Sequence, residues 1–335
     1  FQIILMSSMR SLLGNAVSLE LNNGGVSVKM WDRVKSHSFK GFWREIVKNK
    51  ISYLFIFPYV SLFFVFVVLP VLVSLFYSFT SFNILEPPKF IALENYIRMF
   101  FKDSIFFTAI KNTILLSVIL GPGSYILCLF VAWFANELSP KLRALVTLFF
   151  YAPSISGNVY LIWTVLFASD DYGYANSLLT KLGLIQKPIM WLQDTRYIMV
   201  IVIIVSLWVS LGTSFLSFIA GFQGIDKSYY EAAAIDGIRN RWQELWFVTL
   251  PLIKPQMMFS AVMSISSAFS VGPLITNLAG YPTTDYSAQT IMNHLVDYGS
   301  IRFEMGYASS IATILFFMMI SFNFIARKLI GKIGS

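Results

Sequence analysis

Six long stretches of this chain contain no Asp, Glu, Lys or Arg, and they limit which folds are open to it. They cover residues 51–85, 112–136, 144–169, 197–225, 255–284 and 305–326. A helix needs about 20 mainly apolar residues to cross the hydrocarbon core of a bilayer, so each stretch is long enough for one crossing. A helix buried in a soluble protein rarely runs this far without a charge. The pattern therefore predicts an all-α polytopic membrane protein with six transmembrane helices.

The composition agrees with a membrane protein and excludes other classes. The chain has 335 residues, of which 56% are hydrophobic and 13% are charged, whereas a soluble domain carries about 25% charged residues. The net charge of +8 comes from basic residues in short blocks between apolar runs, which is typical of membrane topology and not of nucleic-acid binding. Cys128 lies inside an apolar run, and His37 and His294 lack partners at ligand spacing. We therefore expect no metal site.

The basic residues are concentrated in alternate connecting segments. Those before the first stretch include Lys29, Arg33, Lys35, Lys40, Arg44, Lys48 and Lys50. Because cytoplasmic loops carry an excess of Lys and Arg, residues 1–50 are predicted to be a cytoplasmic tail, with residues 1–28 flexible or peripheral. The charge-balanced segments 86–104, 170–196 and 285–302 are then outside, and both chain ends are cytoplasmic. Residues 51–330 form the predicted transmembrane domain.

The third stretch contains the most polar sequence at membrane depth, Tyr-Ala-Pro-Ser-Ile-Ser-Gly-Asn at residues 151–158. One interpretation is close helix packing through small residues. The other is a helix kinked at Pro153 that lines a water-filled cavity, because polar groups in a membrane often mark a pathway. The sequence leaves both open.

The connecting segment 224–255 has the pattern of two helices joined by a turn. Ser228, followed three residues later by Glu231, is typical of a capping box and predicts a helix start. The three alanines that follow favour a helix without bulk. Gly237 is placed to end that helix in the left-handed conformation. A second short helix is predicted to stop at Pro251.

This segment resembles the EAA loop of binding-protein-dependent ABC importer permeases, through Glu231-Ala232-Ala233, Gly237 and Leu250-Pro251. In that family the loop inserts into a groove on the ATPase subunit and transmits its closure. The resemblance implies that the residues which couple this chain to an ATPase are Glu231, Ala232, Ala233, Asp236, Gly237, Leu250 and Pro251.

The resemblance extends over about residues 50–330. Its further motifs are Glu94-Asn95-Tyr96, Asn112-Thr113 at the start of the second span, Trp163, Gly173, Asn176, Leu179 and Gly306-Tyr307-Ala308-Ser309, the later ones being similar to the carbohydrate class. The chain is thereby expected to be the permease subunit of an ATP-driven importer. It would form half of the translocation path for a carbohydrate, an oligosaccharide, delivered by an external solute-binding protein.

The resemblance also implies the partners. They are a second permease, two ATPase subunits, the external solute-binding protein, the carbohydrate and membrane lipid, in a bacterial-type cytoplasmic membrane. The chain has no Gly-x-x-x-x-Gly-Lys-Ser/Thr phosphate-binding run. ATP and Mg²⁺ are therefore expected on the partner subunits, and the chain itself is predicted to be neither an enzyme nor a cofactor binder.

Sugar sites in that family are built from aromatic and amide side chains on several spans. The candidates for the substrate path are Tyr151, Asn158, Tyr160, Trp163, Trp208 and Asn277.

Three alternatives remain open. The first is a permease for a non-sugar solute. The second is an ion-coupled carrier, which would need carboxylates inside the membrane, and the six stretches contain none. The third is a membrane enzyme, for which His294 and Asp297 share one loop but lack an evident nucleophile or metal partner.

Overall fold

The computed structural model describes residues 18–22, 25–29 and 50–331. The chain divides into two compact units, residues 1–71 and 72–335. In the first, β1 (Ser18–Asn22) and β2 (Gly25–Lys29) form an antiparallel hairpin with Ser18 opposite Lys29. The sequence analysis did not predict this hairpin, and the rest of the tail predicted before residue 50 lies outside the described residues.

The first apolar stretch is helical as far as Tyr77. It comprises α1 (Lys50–Phe63), a π turn (Phe64–Val68) and α2 (Leu69–Tyr77). Tyr53–Tyr77 is 25 residues long, which is enough to cross a bilayer. Phe55 is 80% and Phe66 72% exposed within the chain, an exposure that suits contact with lipid and not with water.

The second unit is almost entirely helical. A short antiparallel ladder, β3 (Thr80–Ser81) with β4 (Lys89–Phe90), precedes the helices. The helices are α3 (Glu94–Phe101), α4 (Ser104–Asn136), α5 (Pro140–Ile155), α6 (Tyr160–Leu166), α7 (Tyr174–Lys181), α8 (Ile198–Val209), α9 (Thr213–Gln223), α10 (Lys227–Ile235), α11 (Arg241–Glu244), α12 (Leu250–Leu252), α13 (Lys254–Phe269), α14 (Gly272–Ala279), α15 (Ile291–Val296) and α16 (Met305–Gly331). Two π turns, Leu245–Thr249 and Asp297–Ile301, and a 3₁₀ turn, Thr284–Tyr286, complete the list.

The spans agree with the all-α polytopic prediction. Within the described residues, four helical runs are long and apolar enough to cross a membrane: Tyr53–Tyr77, Ser104–Asn136, Ile198–Gln223 and Met305–Gly331. Two bent pairs raise the total to six if each is one span. They are α5 with α6, bent by 87°, and Arg241–Leu252 with α13, bent by 84°.

The start of the second span differs from the prediction. The helix begins at Ser104 and not at Asn112, because the Asp103 carboxylate caps it by accepting a 3.0 Å hydrogen bond from the Phe106 N–H. Phe106 and Ala109 are fully buried, so this added segment packs inside the protein. It did not need to be apolar on every side, and Lys111 is therefore tolerated on its exposed face.

Helix α13 lies at the centre of the second unit and packs against α4, α9 and α16. Close approach there depends on small residues. The Ser214 and Ser260 hydroxyls each donate to the other residue's carbonyl at 3.2 Å, linking α9 to α13. A Cβ added at Gly121 of α4 would lie 3.7 Å from the Ile265 Cγ1 of α13, so the Ile265 side chain packs closely over this glycine.

Buried asparagine amides hold the three segments predicted to lie outside, here called the outer loops (residues 86–104, 170–196 and 285–302). The Asn95 Nδ2 donates to the carbonyls of Ser78 and Thr80, each at 2.9 Å. The Asn112 Nδ2 donates to the carbonyls of Ser287 (3.0 Å) and Gln289 (2.9 Å). Carbonyl oxygens outside the helices thus accept hydrogen bonds from buried side chains.

Asn176 has the same role in the middle outer loop. Its Nδ2 donates to the carbonyls of Ala168, Asp170 and Ile189, and its Oδ1 accepts from the Ile189 N–H and the Trp191 indole, all within 3.1 Å. Gly306 allows a similarly close approach, because any Cβ there would collide with the Thr80 carbonyl oxygen. The motif residues Asn95, Asn112, Asn176 and Gly306 therefore position loops.

We predict that Asn112→Leu lowers the thermal unfolding midpoint of the purified protein in detergent. Leucine has a similar volume but leaves buried carbonyls without a donor, at a cost of about 1–3 kcal/mol. Asn277→Leu is the matched control because its side chain is exposed on α14. Equal midpoints for the two variants would contradict the structural role of Asn112.

Candidate functional site

The first helix of the coupling segment (residues 224–255) is capped by Asp226 and not by Ser228. Asp226 has extended backbone angles (φ −67°, ψ 138°), and its Oδ1 accepts a hydrogen bond of 2.9 Å from the Ser228 N–H. The predicted capping box of Ser228 with Glu231 is therefore wrong, since α10 begins at Lys227. Glu231 does not reach back to the helix start. It lies exposed on the helix surface.

The end of α10 is as predicted. Gly237 has a φ of +95°, a conformation that costs other residues free energy. Its N–H donates to the Ala234 carbonyl at 3.3 Å, and the Ile238 N–H donates to the Ala233 carbonyl at 3.0 Å. This pair of bonds is a Schellman motif. It fixes the direction in which the chain leaves the helix.

The second helix runs further than predicted. Asn240 caps it by accepting from the Gln243 N–H at 2.8 Å, and the helical path continues through the π turn to Leu252. The predicted stop at Pro251 is wrong. The π turn has already shifted the hydrogen-bond ladder, and a proline is tolerated in the first turn after such a shift. The chain bends at Ile253, where α13 begins.

The second helix is attached to the helix bundle near both ends. The Trp242 ring lies 5.0 Å from the Trp133 ring near the end of α4. The Arg241 guanidinium forms a 3.0 Å ion pair with Glu137, which follows α4. Past the bend at Ile253, the Lys254 ammonium at the start of α13 donates to a carbonyl near the end of α16 at 2.8 Å. The start of the second helix is thereby attached to the end of α4, and the residue that follows its bend is attached to the end of α16.

The predicted coupling residues separate into buried and exposed sets. Ala232, Ala233, Asp236 and Pro251 line a shallow pocket of about 360 Å³ between α10 and the second helix. Ala232 is exposed, whereas Ala233 is 9% exposed. Ala233 therefore gives room to the second helix of this chain, and Ala232 is the exposed alanine of this pocket.

Leu250 lies deeper than the resemblance suggested. It is 3% exposed and belongs to the same hydrophobic cluster as Leu245, Trp133 and Ile330. Leu250 can therefore contribute to coupling only by anchoring the second helix. The outer surface of the two helices is apolar and open, since Ile235, Trp246 and Phe247 are 87%, 62% and 66% exposed. Exposed apolar side chains of this size mark an interaction surface.

Four of the six candidates for the substrate path lie around the bend between α5 and α6. The Trp163 and Trp208 rings meet edge to face at 5.3 Å. The Tyr160 hydroxyl donates to the Asn158 Oδ1 at 3.3 Å. Tyr151 is half-buried on α5 and Asn277 is exposed on α14. In the described part of the chain, no hydrogen bond or ring contact joins these last two to the group.

The polar stretch at residues 151–158 agrees in part with both interpretations, close helix packing and a kinked helix that lines a cavity. Helix α5 ends at Ile155, two residues after buried Pro153. Ser154 and Gly212 line a cavity of about 320 Å³, whereas residues 155–158 are exposed. A Cβ at Gly212 would lie 2.8 Å from the Ser154 Cβ, so only glycine allows this approach. Ser154 is thus both a packing residue and a cavity residue.

A cluster in the outer loops was not predicted. The Asp103 carboxylate accepts hydrogen bonds from His294 Nε2 (2.9 Å) and from the Tyr307 hydroxyl (2.8 Å). Burial opposes its ionisation, but the hydrogen bonds from His294, Tyr307 and a backbone N–H lower the pKa of Asp103 to about 2. The carboxylate therefore stays charged at physiological pH.

An ion pair lies beside this cluster. The Arg98 guanidinium pairs with Glu304 and lies 4.3 Å over the centre of the Tyr307 ring. About 200 residues separate Asp103 from Tyr307, so no local sequence pattern could reveal these contacts. Among the described residues no group of three His, Cys, Asp or Glu could hold a metal ion.

The chain is similar to known transport proteins. A family model described as "Binding-protein-dependent transport system inner membrane component" matches residues 126–333. "Probable ABC transporter permease protein YesP" of Bacillus subtilis is 34% identical over 81% of this chain and 88% of its own length. "Arabinooligosaccharides transport system permease protein AraP" of the same species is 28% identical over 89% of this chain and 95% of its own length.

One solved structure shares the fold. It is a crystal structure of a bacterial alginate ABC transporter in complex with an alginate pentasaccharide-bound periplasmic protein. One of its chains is 23% identical to this chain with a TM-score of 0.70, covering 88% of this chain and 99% of the other. At this identity the likeness shows the fold alone.

Proposed function

Since the chain belongs to the family of binding-protein-dependent transport system inner membrane components, we propose that it forms half of the translocation path of an ATP-driven carbohydrate importer. It is a transport permease subunit and not an enzyme. The structure of the coupling segment supports the coupling role most directly. Its two helices carry an exposed apolar surface and are attached to α4 and α16.

The solute we propose is an oligosaccharide. Its support is the arabinooligosaccharide permease among the relatives. A permease for a non-sugar solute is the remaining alternative. An ion-coupled carrier finds no support, because the six uncharged stretches offer no carboxylate to a coupling ion.

The assembly we propose has a second permease, two ATPase subunits that hold ATP and Mg²⁺, and an external solute-binding protein. The related alginate transporter was solved with its periplasmic protein, which supports the last partner. ATPase closure would press on the α10 surface. The second helix would then move the ends of α4 and α16, and the bundle would open towards the other side of the membrane.

We propose an orientation with both chain ends and the coupling segment in the cytoplasm. Asp171, Asp285 and Arg239 are all exposed, so cysteine placed at each should be reachable by a thiol reagent from its own side. A membrane-impermeant reagent added to intact cells is expected to label Asp171→Cys and Asp285→Cys but not Arg239→Cys. Labelling of Arg239→Cys from outside would overturn this orientation.

Ala232→Trp should abolish ATP-driven uptake of arabino-oligosaccharide in vesicles that contain the permeases, both ATPase subunits and the binding protein. Ala232 lies exposed at the pocket between the helices, so an indole there would block a docking subunit without disturbing the fold.

Ala234→Trp is the control because Ala234 is also exposed but does not line that pocket. The readouts are uptake and copurification of the ATPase subunit. If Ala232→Trp imports the oligosaccharide as fast as the wild type does, coupling through this segment loses its main support. Absence of ATP-driven uptake by the wild-type assembly would contradict carbohydrate import.

A further inference from the structure

Helix α7 exposes an apolar stripe in the middle outer loop. Tyr174, Leu178 and Leu182 follow one another at intervals of four residues, so they lie on one face of the helix and its C-cap. They are 67%, 59% and 62% exposed. Asn176 is fully buried on the opposite face. One face of α7 therefore holds the helix to the protein, and the other presents large apolar side chains to its surroundings.

The apolar surface extends beyond both ends of α7. Tyr172 precedes the helix and Leu184 follows it, and both are also exposed. Gly183, with a φ of +71°, turns the chain so that the Leu184 N–H donates to the Leu179 carbonyl at 3.0 Å. This turn keeps Leu184 beside the helix end. Single exposed apolar residues are common on proteins, but a group this dense marks an interaction surface.

The polar residues of this segment fit a phospholipid surface. Residues 172–193 contain Lys181 and Lys187 but no Asp or Glu, and both lysines are exposed. A lysine stem is apolar, so it can lie along lipid while the ammonium reaches a phosphate. Tyrosine is enriched where membrane meets water, because its ring is apolar and its hydroxyl is polar. Such a composition is typical of a helix that lies in the membrane interface.

Side-chain contacts place α7 at the edge of the membrane. The Trp191 indole donates to the Asn176 Oδ1 at 2.9 Å, and the Trp191 ring lies 5.3 Å from the Tyr197 ring. Tyr197 directly precedes α8, where the apolar run Ile198–Gln223 begins. Two side chains thus link α7 to the first residues of a span. Because a span begins at the hydrocarbon boundary, α7 lies at the level of the lipid headgroups.

The neighbouring helices expose apolar side chains as well. Helix α7 packs against α6, on which Val165 is exposed, and Val200 and Ile204 are exposed on α8. In a bilayer, lipid covers such surfaces of the spans. The stripe on α7 therefore adjoins surfaces that face lipid, and phospholipid is the occupant that its depth and composition favour. An external protein would approach from the water, beyond the headgroups.

We propose that residues 172–184 form an interfacial element whose apolar stripe lies among the phospholipid headgroups of the leaflet nearest the outer loops. Asn176 ties this element to the carbonyls of Ala168, which follows α6, and Ile189, which precedes α8. Contact with lipid therefore holds the chain between these two helices at a fixed depth. Lipid binding there is independent of which solute the chain transports.

The test measures the depth of a nitroxide spin label on the stripe. Leu178→Cys in a Cys128→Ala background carries the label, and the importer with cysteine-free partner subunits is reconstituted in vesicles of phosphatidylethanolamine and phosphatidylglycerol. Collisions of the label with oxygen, which dissolves in hydrocarbon, are compared with collisions with a water-soluble nickel chelate. Thr180→Cys is the matched control, because Thr180 is exposed on the same helix but turned away from Leu178 by about 200°.

We expect the label at Leu178→Cys to collide with the nickel chelate several-fold less often than the label at Thr180→Cys, and with oxygen at least as often. Tyr174→Cys gives a second label on the stripe and should behave like Leu178→Cys. Frequent nickel collisions at both stripe positions would place α7 in water and overturn the proposal.

A protein that covers the stripe gives a different result, because it shields a label from oxygen and from the nickel chelate alike. Shielding of Leu178→Cys from both reagents before the external binding protein is added would assign the stripe to another subunit. Shielding that arises only when the binding protein is added would assign the stripe to that protein. Either result would overturn contact with lipid, which predicts that the binding protein leaves the collisions unchanged.

Discussion

Each polar backbone group that leaves a helix near the membrane must find a partner in the protein, because lipid offers none. The chain meets this demand with buried side-chain amides. Asn95, Asn112 and Asn176 each donate to carbonyls of non-helical segments. The outer loops are thereby fixed to neighbouring helices, and the three positions belong to the motifs through which the sequence resembles the family. These hydrogen bonds explain why asparagine occupies the three positions, without any contact with a solute.

The membrane spans could be predicted from the sequence because the absence of charge over 20 or more residues is a direct consequence of lipid solvation. Within the described residues, four of them are continuous helical runs, and two bent pairs raise the total to six if each is one span. The end of α10 was also predictable, since a positive φ at Gly237 follows from the cost of that conformation for other residues. Both depend on local chemistry. A sequence pattern predicts the structure correctly where the residues of a single span or turn determine it.

Other predictions failed where the surrounding structure determines the conformation or the burial of a residue. Asp226 and Ser228 are both good caps, and the choice between them depends on which backbone is extended. Pro251 does not end its helix, because a π turn had already changed the hydrogen-bond register. Sequence likewise could not tell Ala232 from Ala233, since their difference arises from packing against the second helix. The Asp103, His294 and Tyr307 cluster joins residues too distant in sequence for any pattern to show.

In the proposed mechanism, coupling depends on how firmly the second helix is attached to the bundle. The Trp242 ring contacts the rings of Trp133 and Phe130 on α4, so Trp242→Ala tests this attachment directly. The measurement is the number of ATP molecules hydrolysed per oligosaccharide imported in reconstituted vesicles. The account predicts that the ATPase subunits still bind and hydrolyse ATP while uptake falls, so the ratio rises severalfold. An unchanged ratio would show that force does not pass through this contact.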